Sequence, residues 1–143
     1  MNRRSFARAA LLAVAAPLWF AGTAQAQGAG RHRIVIQVSD GDAARWNLAL
    51  NNARNLQDDV GAANVDIELV AYGPGIGMLK MDAPTNSRVA EAVKSGVKVL
   101  ACENTMRNQK LSRDDMHPAI GYVKAGVTAI MLRQSEGWSY LRP

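Results

Sequence analysis

The chain has little of what most recognisable active sites are built from. It carries a single cysteine, Cys102, so no disulfide can form within it. His32 and His117 are the only histidines. A zinc site takes three or four well-placed ligands, and Cys102, His117 and the scattered carboxylates have no such spacing, so neither a metal nor a cofactor is expected. No serine-nucleophile signature or paired-carboxylate motif stands out. Gly73-Pro74-Gly75-Ile76-Gly77 is a poor dinucleotide loop: its third glycine is misplaced, no clear helix follows, and Pro74 removes an N–H that would face phosphate. A flexible loop over residues 73 to 83, lining the pocket of the thiol, is the better reading.

A membrane-spanning run is also missing. Ala9 to Ala21 is uncharged and mostly apolar, but a spanning helix needs roughly 20 such residues and Pro17 interrupts this one. With Asn2-Arg3-Arg4-Ser5-Phe6-Ala7-Arg8 before it and Gly22-Thr23-Ala24-Gln25-Ala26 after it, the run reads as a cleavable export signal of twin-arginine type over residues 1–26. The expected product is a periplasmic protein without stable membrane anchoring. Removing Arg3, Arg4 and Arg8 leaves 14 basic against 12 acidic side chains, a net charge of +2 in place of +5. The remaining basic residues are spread singly, so there is no nucleic-acid signature.

What remains suits one domain. Residues 27–32 form a short lead, and Arg33-Ile34-Val35-Ile36-Gln37-Val38-Ser39 reads as a strand buried on both faces. Asp42 caps an amphipathic helix through Trp46, Leu50, Ala53 and Val60 that ends at Gly61. Val65 to Tyr72 is a second strand, and Thr85 or Asn86 starts a second helix ended by Gly96. Val97 to Cys102 is the third strand, followed by Asn104-Thr105, a pair able to cap a helix. A short helix over 111–116, capped by Ser112, stops before Pro118. Residues 119–123 make a fourth strand. Residues 127–136 allow either helix or strand, with helix favoured by Gly137 as a cap, and Trp138 to Leu141 close the chain as a strand. Trp46, Met78, Met81, Trp138 and Tyr140 suit the core or subunit contacts.

Alternating strands and helices with apolar strands imply a mainly parallel sheet covered on both faces. Ligand sites in such folds lie at the carboxyl ends of the strands. That edge would bring together Asp40, Gly73, Gly75, Cys102, Asn104 and Thr105. An unpaired cysteine is often a small buried hydrophobe. One placed between a strand and a helix start is also close to backbone N–H groups that favour the thiolate. Arg107 would add to this and Glu103 would oppose it. Asp114 and His117 could pair. A surface histidine is the expectation for His117, which serves Cys102 as a base only if the fold brings the two together.

Ile34-Val35-Ile36-Gln37-Val38-Ser39-Asp40, Val70-Ala71-Tyr72-Gly73-Pro74-Gly75-Ile76, Ala101-Cys102-Glu103-Asn104-Thr105-Met106 and Tyr122 to Val127 leading to Gly137-Trp138-Ser139-Tyr140-Leu141 together resemble the small single-domain branch of the DsrE/DsrF-like family. The resemblance covers residues 33–143. It implies a three-layer α/β/α sandwich with a five-stranded, mainly parallel sheet, assembled as a homo-oligomer, a trimer or hexamer. It also implies that Cys102 accepts sulfur as a persulfide and passes it on, as in better-understood relatives. Those relatives work in the cytoplasm, so an exported member would need a different sulfur donor and acceptor. Two functions stay open: an exported sulfur carrier or sulfurtransferase-like protein, and a non-catalytic oligomeric module that binds a small anion or sulfur compound. A redox sensor forming intersubunit disulfides is a third.

Overall fold

The computed structural model describes residues 30–143. The expected export signal and residues 27–29 of the short lead lie outside the described residues. The strands are β1 (His32–Val38), β2 (Val65–Ala71), β3 (Lys98–Cys102), β4 (Gly121–Val123) and β5 (Ser139–Leu141). They form one sheet in the order β4-β3-β2-β1-β5, and every neighbouring pair is parallel.

Four helices connect them: α1 (Ala43–Val60), α2 (Asn86–Lys94), α3 (Glu103–Asn108) and α4 (Gly126–Ser135). The Asp42 carboxylate accepts the Ala44 N–H at 3.0 Å and starts α1. Gly61, at φ 88°, ends it. Residues 126–135 are helical, so the segment open to both readings resolves as α4.

The two faces of the sheet are covered unequally. Ile36, Val38, Ile67, Leu69, Val99 and Ala101 pack with Ala49, Leu50 and Ala53 of α1 and Val89 of α2 in the main core. On the other face only Val35, Val70 and Ile130 of α4 are fully buried together, with Tyr72, Leu100, Val123 and Trp138 half-buried around them. α4 itself exposes Val127, Met131 and Leu132. Cys102 is two residues beyond Leu100 on β3, and alternation along the strand puts it on this thinner side.

Several expectations change. Residues 73–83 are not a flexible loop: Gly73–Leu79 is a 3-10 helix that buries Ile76, Met78 and Leu79. Gly75 makes this close approach possible, because a Cβ there would stand 2.2 Å from the Val38 carbonyl oxygen. The segment before Pro118 is a single 3-10 turn, Arg113–Asp115, held by the Ser112–Asp115 capping box. The fourth strand is shorter than expected, three residues from Gly121. His117 is not on the surface but buried. Its backbone N–H donates to the Leu79 carbonyl at 2.8 Å and its Nδ1 accepts the Ala119 backbone N–H at 3.1 Å. Of the five large residues assigned to core or contacts, Met78 is core, Met81 and Tyr140 are exposed, and Trp46 and Trp138 are half-buried.

Candidate functional site

Parallel pairing in register aligns Val38, Ala71 and Ala101 across β1, β2 and β3. The next residues along, Ser39, Tyr72 and Cys102, therefore share the carboxyl edge of the sheet. Cys102 itself is the N-cap of α3, the position the sequence suggested for Asn104 or Thr105. Its sulfur accepts the Thr105 N–H at 3.5 Å.

A second element reaches the same atom. The Gly126 N–H, at the start of α4, lies 3.3 Å from Cys102 Sγ. Glycine allows this approach, since a Cβ on residue 126 would stand 3.0 to 3.2 Å from Tyr72 side-chain atoms. Nothing in a local sequence pattern singles out Gly126, because its partner is 24 residues away. Ala125, the α4 N-cap, supplies no side-chain cap, which leaves the first N–H of the helix available to the sulfur.

The Thr105 hydroxyl completes the set. Its oxygen accepts the Gly73 N–H at 2.9 Å, so its own proton is free for the sulfur. Burial pushes the Cys102 thiol up, but hydrogen bonds from the Thr105 hydroxyl, the Thr105 N–H, the Gly126 N–H and, least, the Asn104 N–H outweigh it, and the net shift is downward. The Asn104 N–H also donates to the Lys124 carbonyl at 3.2 Å. Cys102 as a residue is 4 % exposed. It is thus a thiol covered by protein whose ionised form is well received.

The remaining expected residues separate into two groups. Thr105 and Gly73 belong to the thiol's hydrogen-bond chain, and Gln109 Nε2 adds a bond to the Gly73 carbonyl at 3.2 Å. Gly75 acts on packing. The Asn104 side chain is exposed and accepts from Arg107, so that side chain and that guanidinium engage each other. Asp40 is bound elsewhere: its carboxylate meets Arg142 at 3.4 Å and its carbonyl accepts the Trp46 indole N–H at 2.6 Å. The Glu103 carboxylate, which would have opposed the thiolate, pairs with Arg113 at 3.0 Å. That guanidinium also lies 4.2 Å over the Tyr122 ring. His117 shares no hydrogen bond with Cys102, and Asp114 none with His117, among the described residues. There, no three His, Cys, Asp or Glu side chains are grouped as a metal ion would require.

Similarity to other proteins agrees with the architecture. Among solved structures, a protein of unknown function from Methanobacterium thermoautotrophicum (MTH1491) is 38 % identical, with a TM-score of 0.75 over 78 % of this chain and 99 % of that one. A conserved protein of unknown function from Bacteroides thetaiotaomicron (BT1422) shares the fold at 16 % identity and TM-score 0.62, over 78 % and 94 % of the two chains. The ychN protein from E. coli does so at 13 % and 0.61, over 80 % and 99 %. No functionally curated protein matches significantly. The family model for the DsrE/DsrF-like family matches residues 32–143; with the parallel five-stranded sheet and an N-capping cysteine at its carboxyl edge, the chain belongs to the DsrE/DsrF-like family.

Proposed function

We propose that the protein is an exported sulfur carrier, with sulfurtransferase-like chemistry, that holds sulfane sulfur on Cys102. One observation carries this reading: the Cys102 sulfur accepts N–H groups from two separate helices, and the Thr105 hydroxyl adds to them. A thiolate is the nucleophile in sulfur transfer, and this arrangement favours it without a histidine base or a metal ligand.

The step balances without an external oxidant. Cys102 Sγ attacks the sulfane sulfur of a polysulfide or of thiosulfate. The new bond joins Sγ to that sulfur, the old S–S bond (or the S–S bond of thiosulfate) breaks, and the shortened polysulfide or sulfite departs with the bonding pair. The same donors that received the thiolate then surround the persulfide. Attack by an acceptor thiolate on the outer sulfur returns Cys102 as thiolate.

In this reading the protein acts in the periplasm as a homo-oligomer, a trimer or hexamer. The exposed Val127, Met131 and Leu132 on α4 support self-association, because they flank the thinly covered face of the sheet.

The test is intact mass after incubation of the purified protein with polysulfide or thiosulfate. The carrier requires a gain of one sulfur that is absent in Cys102→Ala. If no donor leaves an adduct and the thiol resists alkylation at neutral pH, the carrier reading is wrong. The protein is then a non-catalytic module binding a small anion or sulfur compound, a reading favoured by the 4 % exposure of Cys102.

A further inference from the structure

Glu68 is a carboxylate buried in the middle of β2, 2 % exposed, and the site described above does not use it. Burying a carboxylate is costly unless it is paired and hydrogen-bonded. Arg133 of α4 meets that requirement with a two-pronged grip, Nε to Oε2 at 2.7 Å and a terminal nitrogen to Oε1 at 2.8 Å. The third nitrogen of the same guanidinium binds Glu136 at 2.9 Å, and its plane lies 4.8 Å over the Trp138 ring. Lys98 stands 3.7 Å from Glu68 but is mostly exposed.

Two lengths connect this cluster to the thiol. Glu68 is in register with Lys98, and Cys102 is four residues further along β3, roughly 13 Å. α4 has 10 residues and is therefore about 15 Å long. The helix thus spans the distance between the two sites, with Arg133 near one end and Gly126 at the other. Its apolar seam is slight, with Ile130 the only buried side chain and Gly126 the only other buried residue. Hydrophobic contact of that size is non-directional and does not set how far the helix slides or rolls. A bidentate guanidinium–carboxylate pair does, because both prongs are satisfied only in one orientation.

We infer that the Glu68–Arg133 pair is a positioning device for Cys102: it holds the register of α4 on the sheet, and so keeps the Gly126 N–H on the sulfur at the helix's other end. This rests on the reading of Cys102 as a working thiolate, but it is tested on the thiol itself and needs no sulfur donor. A cleft of about 380 Å³ lined by Glu68, Lys98, Arg133 and Trp138 opens onto the pair, so water can reach substituted side chains there.

The experiment is the pH profile of Cys102, followed by thiolate absorbance and by alkylation rate, in Glu68→Gln, Arg133→Gln and the double variant. The charged and titratable residues on the elements that meet at the thiol, Tyr72, Glu103, Arg107 and Lys124, stay unchanged. Positioning predicts that both single variants lower the thiolate fraction below the midpoint in the same direction, by roughly three- to ten-fold. The double variant should do no more than either. The limiting alkylation rate at high pH should be unchanged.

Direct electrostatics predicts the opposite pattern. Loss of the Glu68 charge would raise the thiolate fraction and loss of the Arg133 charge would lower it. Opposite shifts therefore overturn the inference, as does an unchanged midpoint in variants that unfold more easily. Arg133→Lys, which keeps the charge and loses the fork, covers the case in which a glutamine variant does not fold, and it should shift the midpoint in the same direction as Glu68→Gln. Sulfur loading in the unsubstituted protein is a separate result: its failure removes the carrier reading and leaves these shifts intact.

Discussion

Replacing Thr105 with valine removes the hydroxyl and keeps the shape. That hydroxyl accepts the Gly73 N–H at 2.9 Å and, as a side-chain donor, helps to hold the Cys102 thiol below its ordinary value, so its loss acts at both ends. At the sulfur, a hydrogen bond to a charged acceptor is worth about 1.5 to 3 kcal/mol. The low end applies to a soft acceptor such as sulfur, and about 1.4 kcal/mol is one pH unit. The midpoint of Cys102 ionisation should rise by about one unit, and alkylation below the midpoint should slow roughly ten-fold. Thr105→Ser keeps the hydroxyl and should stay close to the parent. At the other end the Gly73 N–H loses its acceptor. Thr105 is half-buried, so water replaces part of the bond and the stability loss should be about 1 kcal/mol in urea titration. The assay is the iodoacetamide rate from acid to alkaline pH, with Cys102→Ser as the blank. A Thr105→Val profile superimposable on the parent would refute the assignment of Thr105 as a donor to the sulfur.

Four further outcomes follow from the thiol and from other contacts. Because the folded thiol titrates below its unfolded value, its contribution to stability is full above the unfolded pKa and is lost as pH falls through the folded one. The stability gap between the parent and Cys102→Ser should therefore shrink over that window on acidification, as denaturant titrations would show. Gly75→Ala pushes a methyl into the Val38 carbonyl and should cost about 3 kcal/mol, against near neutrality if that turn can shift. Asp115, whose carboxyl is held low by the Ser112 N–H and then by the Ser112 hydroxyl, stabilises the turn above its unfolded pKa and ceases to as pH falls through the folded value. Asp115→Asn should therefore lower the thermal midpoint at neutral pH but not in strong acid. Met131→Glu puts charge on the exposed α4 surface; light scattering should show smaller particles, and an unchanged mass would exclude that surface as a subunit contact.

Local pattern made most of the architecture legible. β-branched runs such as Ile34 to Val38, apolar spacing in α1 and the terminating Gly61 depend on neighbours a few residues apart, and the elements they foretell are those observed. Packing of Gly73–Leu79 was not legible, because the need for a glycine at 75 is set by Val38 on another strand. The burial of His117 was not legible either, since its backbone N–H is held by the carbonyl of Leu79, a residue far off in the chain.

At the site the division is sharper. One thiol, the lack of an internal disulfide, and a strand that ends on that thiol at the carboxyl edge of a parallel sheet are all readable from the order of residues. The surroundings of the thiol come from tertiary packing. Gly126 is 24 residues from Cys102, and Gly73 is 32 from Thr105. Arg133 is 65 from Glu68. Hydrogen bonds at those separations follow from which strands pair and how α4 crosses them, and no periodicity in one chain records that.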